Sequence, residues 1–321
     1  MLLVVGDWPR IADSTEETQD MHIDPFIVIG SAVVGLLVGM TGAGGGALMT
    51  PMLTLLFSVK PSSAISSDLV AAVLMRPVGA AVHLRRGTVN TGVVRWMVLG
   101  SVPTAFLGAY LLHAIGGAKS AQTNIERILG AALLLGAAAM VLRYYLDSRQ
   151  GQARMAHVHD IIARPLPTLV IGMIGGVIVG MTSVGSGSLM IILLLFLYPT
   201  IRAKALVGTD LSQAVPLTLA AALGALIFGH VEFGVTTSLI LGSVPAVLVG
   251  SLLSSSAPDR FIRPVITFVI FASGLKYIGL GTTELGWALV STLLAGFVAW
   301  MVLKQPWRAP SATIAAVDAD G

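Results

Sequence analysis

Long apolar runs and short polar interruptions alternate along this chain. Apolar segments occupy about 26–57, 64–84, 91–114 and 124–146, then about 166–198, 204–228, 233–255 and 262–281, and a last one about 284–303. A helix needs about 20 residues to cross a bilayer, so most segments predict one spanning helix each. The first and the fifth exceed 30 residues, about 48 Å as one straight helix, and so predict an interruption. The polar intervals divide the chain into an N-terminal tail (1–24), a first transmembrane repeat (25–146), a linker (147–164), a second repeat (165–281), an extra segment (282–303) and a C-terminal tail (304–321). The opening residues lack the basic start and long apolar stretch of a signal peptide and read as a soluble acidic tail.

The interruption has a sequence signature. Gly39-Met40-Thr41-Gly42-Ala43-Gly44-Gly45-Gly46 sits inside the first long run, and Gly180-Met181-Thr182-Ser183-Val184-Gly185-Ser186-Gly187-Ser188 inside the fifth, 141 residues later. Each glycine costs a helix about 1 kcal/mol relative to alanine, so such clusters unwind it. Backbone N–H groups freed inside a membrane need a partner, and the helix that restarts after the gap favours anions at its N-terminus. Paired broken helices in two halves point to a transporter's binding site. Further blocks repeat in order at an offset of 142: Ser67-Asp68-Leu69 with Thr209-Asp210-Leu211, and Leu99-Gly100-Ser101-Val102-Pro103 with Leu241-Gly242-Ser243-Val244-Pro245. The chain therefore reads as an all-α polytopic membrane protein with two pseudo-symmetric repeats of about four apolar segments each, Gly-broken helices, and one extra C-terminal segment.

Topology stays open at this level. If each long segment crosses once, the repeats are parallel; if each folds back, every half has three spans and the repeats are inverted. Under the four-span alternative, Arg85, Arg86, Arg143, Arg149, Arg154 and Arg164 fall on one side, and Lys60, Lys119, Arg202, Lys204, Arg260, Arg263, Lys304 and Arg308 on the other. That balance gives the positive-inside rule little to act on.

Composition agrees with the pattern and excludes several chemistries. Of 321 residues, 55% are hydrophobic and 11% charged, against about 25% charged in soluble domains. The net charge of +3 does not suggest nucleic-acid binding. With no cysteine there is no disulfide, thiolate metal site or thiol nucleophile. His157 and His159 lie in the polar linker and are read as solvated rather than metal-binding, so no metal or cofactor is expected. Gly42, Gly44 and Gly46 with Asp68 loosely mimic a dinucleotide fingerprint, but membrane-length flanks replace the strand that motif requires.

Chemistry concentrates at a few positions. Backbone N–H groups at Gly42, Gly44, Gly45, Gly46, Gly185 and Gly187, with the Thr41, Thr182, Ser183 and Ser186 hydroxyls, can bind an anion; tight helix packing through small residues is the alternative. Asp68 and Asp210 read either as helix N-caps or as coupling residues, because ionisable groups in spans are rare and usually functional. Arg76 stands in mid-segment before Pro77, with Thr218 as its repeat counterpart. It is costly there unless paired, with Asp68 two turns earlier on its own helix or with an anionic substrate. His83 is placed at a pathway mouth and Gln213 on the partner helix as a polar contact.

Together, Gly39 to Met49, Ser67-Asp68-Leu69, His83-Leu84-Arg85-Arg86-Gly87, Pro103 and Gly108, with Thr209-Asp210-Leu211 and Gly229 repeating the order, resemble the sulfite exporter TauE/SafE family over about residues 26–281. Many members carry serine where Asp68 and Asp210 stand, so the chain resembles an acidic variant of the pattern, in which Arg76 matches a basic position. The resemblance implies a multi-pass permease of the bacterial inner membrane. The expected function is that of a secondary transporter, specifically an exporter of small oxyanions such as sulfite or a small organosulfonate, working by alternating access with proton coupling and no enzymatic activity. The expected partners are that anion and the lipid bilayer. Oligomeric state stays open, a homodimer among the options. The rival expectations are an uncoupled anion conduit and a non-transporting membrane subunit.

Overall fold

A computed structural model describes residues 23–41, 45–85, 87–116, 121–150, 162–201, 203–253, 259–281, 283–292 and 294. The helices run in the order α1 (Pro25–Thr41), α2 (Gly46–Leu56), α3 (Pro61–Arg85), α4 (Thr91–Gly116), α5 (Ala121–Gln150), α6 (Pro165–Thr182), α7 (Leu189–Leu197), α8 (Ala203–Phe228), α9 (Phe233–Leu253) and α10 (Asp259–Tyr277). By length and hydropathy, α3, α4, α5, α6, α8 and α9 qualify as membrane spans. Proline opens α3 and α6, where its missing N–H is harmless. The acidic tail, His157 and His159, and most of the extra C-terminal segment lie outside the described residues; 283–292 are helical. α5 continues to Gln150, past the expected start of the linker.

Both long apolar segments break at the glycines and fold back. In the first, Gly30 on α1 lies against Met52 of α2 and Phe57 just after it. In the second, the Tyr198 hydroxyl just after α7 accepts the Arg164 backbone N–H at 2.8 Å and pairs with the Thr168 hydroxyl at 2.6 Å at the start of α6. The beginning and end of each broken segment thus meet, as in a hairpin.

The two halves interlock. α1 packs most extensively on α9, and α4 on α6. Both crossings are parallel: Val28 and Ser31 face Gly242, Gly35 faces Ser243, and Gly39 faces Val247 and Gly250; likewise Gly100 faces Leu169 and Gly108 faces Val177 and Gly180. A side chain at any of these glycines would meet backbone, so here the small residues serve helix packing. α3 and α8 run antiparallel, with His83 and Thr88 beside Gly208 at one end and Ser66 beside Gly229 at the other. α5 and α10 are also antiparallel, Thr267 bonding Met140 while Gly130 meets Gly274 and Tyr277. A pair of matching hydrogen bonds marks the crossover. Asn90 N–H donates to Thr209 Oγ1 at 3.1 Å, and Glu232 N–H donates to Ser67 Oγ at 3.2 Å. In both, the hydroxyl residue that precedes an aspartate receives the N–H at the start of the other half's fourth helix.

One expectation is corrected by the helix bounds. Asp68 and Asp210 sit about two turns inside α3 and α8, so neither caps a helix. Hydropathy starts these helices late because their first turns carry serine and lysine. The turns are helical nonetheless, and Ser63, Ser66 and Ser67 are buried.

Candidate functional site

The hairpin tips meet inside the fold. Gly46 opens α2 with its Cα packed onto the carbonyl of Ser183, leaving no room for a side chain. Gly42 and Gly44 lie outside the described residues. Across the contact, residues 183–188 are not helical. Ser183 occupies the left-handed region at φ 57°, and Gly185 and Gly187 have φ of 116° and 102°. Glycine adopts such angles freely, whereas a non-glycine residue there costs about 1–2 kcal/mol.

Ser183 puts that conformation to use. Its hydroxyl donates to Asp68 Oδ2 at 2.6 Å, and Thr50 Oγ1 on α2 donates to the same oxygen at 3.3 Å. The second half mirrors this loosely. The Gly187 backbone acts on Asp210. Gln213 Nε2 donates to Asp210 Oδ1 at 3.3 Å, while its Oε1 accepts the Ser101 hydroxyl at 3.2 Å. Both carboxylates are buried, each 1% exposed, and Gln213 is fully buried.

Arg76, on α3, is buried between the two acids. The Asp210 charge acts on it most strongly and the Asp68 charge second. Arg76 is thus linked to Asp68 along its own helix and also to Asp210 across the α3–α8 interface. Arg143 of α5 adds to the field at Asp210. Among the described residues, the buried side-chain polar atoms without a hydrogen-bond partner are Arg76 Nη2, Asp68 Oδ1 and Ser186 Oγ. All three belong to this cluster, because Ser186 lies between Ser183 and Gly187, which hold the two aspartates. A native fold satisfies most buried polar atoms, so three unpartnered ones on these residues make the cluster the candidate site.

The remaining residues of interest fall elsewhere. The Thr41 hydroxyl donates to Leu37 O at 2.7 Å and that of Thr182 to Ile178 O at 2.6 Å, each closing the last turn before a break. Gly45 starts the turn into α2 and lies beside Met75. His83 is near the outer end of α3, its Nδ1 3.0 Å from Thr88 Oγ1 and beside Gly208, seven residues or about 10 Å beyond Arg76 along the helix. Thr50, Ser101 and Arg143 were missed by sequence reasoning. Ser101 stood in a repeated block, but its repeat-mate Ser243 bonds only its own helix, at Leu239 O, so repetition gave no cue.

A cavity of about 820 Å³ opens at the other end of α3, lined by Lys60, Ser63, Ser66, His113, His230 and Glu232 among others. Ser66 is two residues from Asp68, and the Ser67–Glu232 hydrogen bonds close the gap between cavity and cluster.

Comparison with known proteins agrees with this architecture. Residues 27–277 match the family described as sulfite exporter TauE/SafE. The chain belongs to that family. A probable membrane transporter protein of Bacillus subtilis, YjnA, is 38% identical over 253 residues, covering 78% of this chain and 98% of that protein. A second from the same organism, YdhB, is 23% identical over 254 residues, covering 78% and 98%. One from Xylella fastidiosa is 28% identical over 267 residues, covering 80% and 97%. No solved structure matches the chain. This TauE/SafE member is thus a multi-pass membrane transporter, and its buried cluster of charges is the natural place to look for its substrate.

Proposed function

We propose that this chain is a secondary transporter that exports a small oxyanion, sulfite or a small organosulfonate, across the bacterial inner membrane by alternating access. The carrying observation is the buried Arg76 Nη2 without a hydrogen-bond partner, with Ser186 Oγ of the 183–188 turn likewise unpartnered. A guanidinium offers a planar donor fork matched to oxyanions, and the 183–188 turn adds a hydroxyl and backbone N–H groups. Two hairpins meeting inside the fold, each from one half, are the kind of arrangement on which rocking between two openings depends. Asp68 and Asp210 couple movement to protons and balance Arg76 when the site is empty.

The test is anion efflux from proteoliposomes loaded with labelled sulfite or methanesulfonate. Wild-type protein releases the label at a rate that changes with an imposed proton gradient. Arg76→Ala abolishes release while the protein remains folded, and Arg76→Lys keeps part of it, because charge survives but the fork does not. Wild-type flux in Arg76→Ala would remove Arg76 from the site; flux indifferent to the gradient would favour an uncoupled conduit.

A further inference from the structure

We propose that Asp68, through its Oδ1, takes up one proton with each anion the site binds, so that anion and proton move together. This rests on the anion reading above and assigns the coupled proton to one atom.

Charge balance and donor placement carry it. Among the described residues the enclosed cluster holds two carboxylates, Asp68 and Asp210, and one guanidinium, Arg76, which is 8% exposed. Two negative charges against one positive leave a net charge of −1 when both acids are ionised. The acids are unequally served. Asp210 has the first claim on Arg76, the field of Arg143, the Gln213 amide and the Gly187 backbone. Asp68 has the smaller share of Arg76 and two hydroxyl donors, Ser183 and Thr50, both on Oδ2. Its Oδ1 is buried with no partner.

An anion that engages Arg76 Nη2 brings the cluster to −2 and draws the guanidinium away from both acids. Buried charge left without a partner is strongly destabilising. A proton on Asp68 Oδ1 restores the resting −1 and turns that oxygen into an O–H donor for the anion. The step is balanced: one proton from water converts the carboxylate to the acid on binding and returns to water on release, with no other bond made or broken. The charged groups facing Asp68 are Arg76 on its own helix and Asp210 on α8, with Arg143 of α5 acting through Asp210; α2 and the 183–188 turn contribute hydroxyls and backbone.

The experiment uses the full chain in nanodiscs with methanesulfonate, whose charge is constant across the working pH range. Calorimetry in two buffers of different protonation enthalpy is expected to show one proton taken up per anion, with Kd weakening about tenfold per pH unit on the alkaline side. Asp68→Asn, a neutral stand-in for the acid, is expected to bind with Kd constant within about twofold across pH and with no proton uptake. A wild-type proton count of zero overturns the proposal without recourse to any variant, and so does a wild-type slope in Asp68→Asn. Failure of both methanesulfonate and sulfite to bind at any pH overturns the anion reading itself, and this assignment with it.

Discussion

Gln213 shows how narrowly the buried cluster is satisfied. Its amide nitrogen serves Asp210 and its oxygen serves Ser101, so one side chain ties the aspartate of α8 to α4 of the other half. Replacing it with leucine keeps the bulk but strands a carboxylate oxygen and a hydroxyl in the interior. Unsatisfied buried groups cost about 1–3 kcal/mol each. Gln213→Leu is therefore expected to lower the unfolding temperature in detergent, and Ser101→Ala in the same background to recover part of the loss by removing one orphan. An unchanged melting curve in Gln213→Leu would mean the amide holds nothing that matters to stability. Ser183 poses a sharper requirement, because its left-handed φ aims its hydroxyl at Asp68. Ser183→Gly is expected to keep the fold by easing the backbone and to strengthen anion affinity in a binding titration, because loss of the Oδ2 donor disfavours the ionised carboxylate that opposes the anion.

At the scale of helices, the glycines separate into two groups that sequence cannot tell apart. Gly39 lies where α1 touches the backbone of α9, with the Ser251 nitrogen 2.9 Å and the Gly250 Cα 3.0 Å from where a Cβ would stand. Gly79 on α3 faces only the Leu211 side chain, 3.7 Å from that point. Alanine is favoured over glycine in a helix by about 1 kcal/mol, whereas forcing atoms into a packed contact costs about 1–3 kcal/mol. Gly79→Ala is expected to raise the melting temperature and Gly39→Ala to lower it, both measured on purified protein. Changes of the same sign would show that the α1–α9 contact yields without cost.

For the molecule as a whole, helix direction decides how charge is distributed. With each long segment folded back, the ends of α3, α5, α7 and α9 share one face. By sequence, the connections after them carry Arg86, Arg154, Arg164 and Arg202, and the neighbouring helix ends carry Arg85, Arg143, Arg149, Lys204 and Arg260. The opposite face receives Lys60 and Lys119 in its connections and Arg127 and Lys276 at its helix ends. The balance of a four-span count becomes a clear bias, and the positive-inside rule places the linker face in the cytoplasm and the cavity beside Lys60 outside. The absence of native cysteine makes this simple to measure. Single cysteines at Ile23, Ser58 and Val231 are expected to react with a membrane-impermeant maleimide added to intact cells, and cysteines at Gly87 and Ile162 only after permeabilisation. Opposite accessibility of Ile23 and Ser58 would show the first long segment to cross rather than fold back.

Hydropathy and glycine clusters were enough to establish a helical membrane protein with helices broken at both glycine motifs, and ordered repeats pointed to two related halves and to charged residues worth singling out. These are local properties, set by the transfer cost of polar groups and the helix cost of glycine, and they are written in consecutive residues. Whether a broken helix crosses or returns depends on what its far end touches: Tyr198 against Arg164 and Thr168, and Phe57 against Gly30. The second partner of Arg76 is hidden from the sequence for the same reason. A helical wheel relates it only to Asp68, while the antiparallel packing of α3 on α8 brings Asp210 closer in electrostatic effect. Donors from another element, such as Ser183 and Thr50 on Asp68, leave no trace in the spacing of one segment, because a hydrogen bond across the fold depends on packing geometry. Sequence therefore determined the elements and the list of charges, and only the tertiary structure decided which charges share a site and which of their atoms are left open.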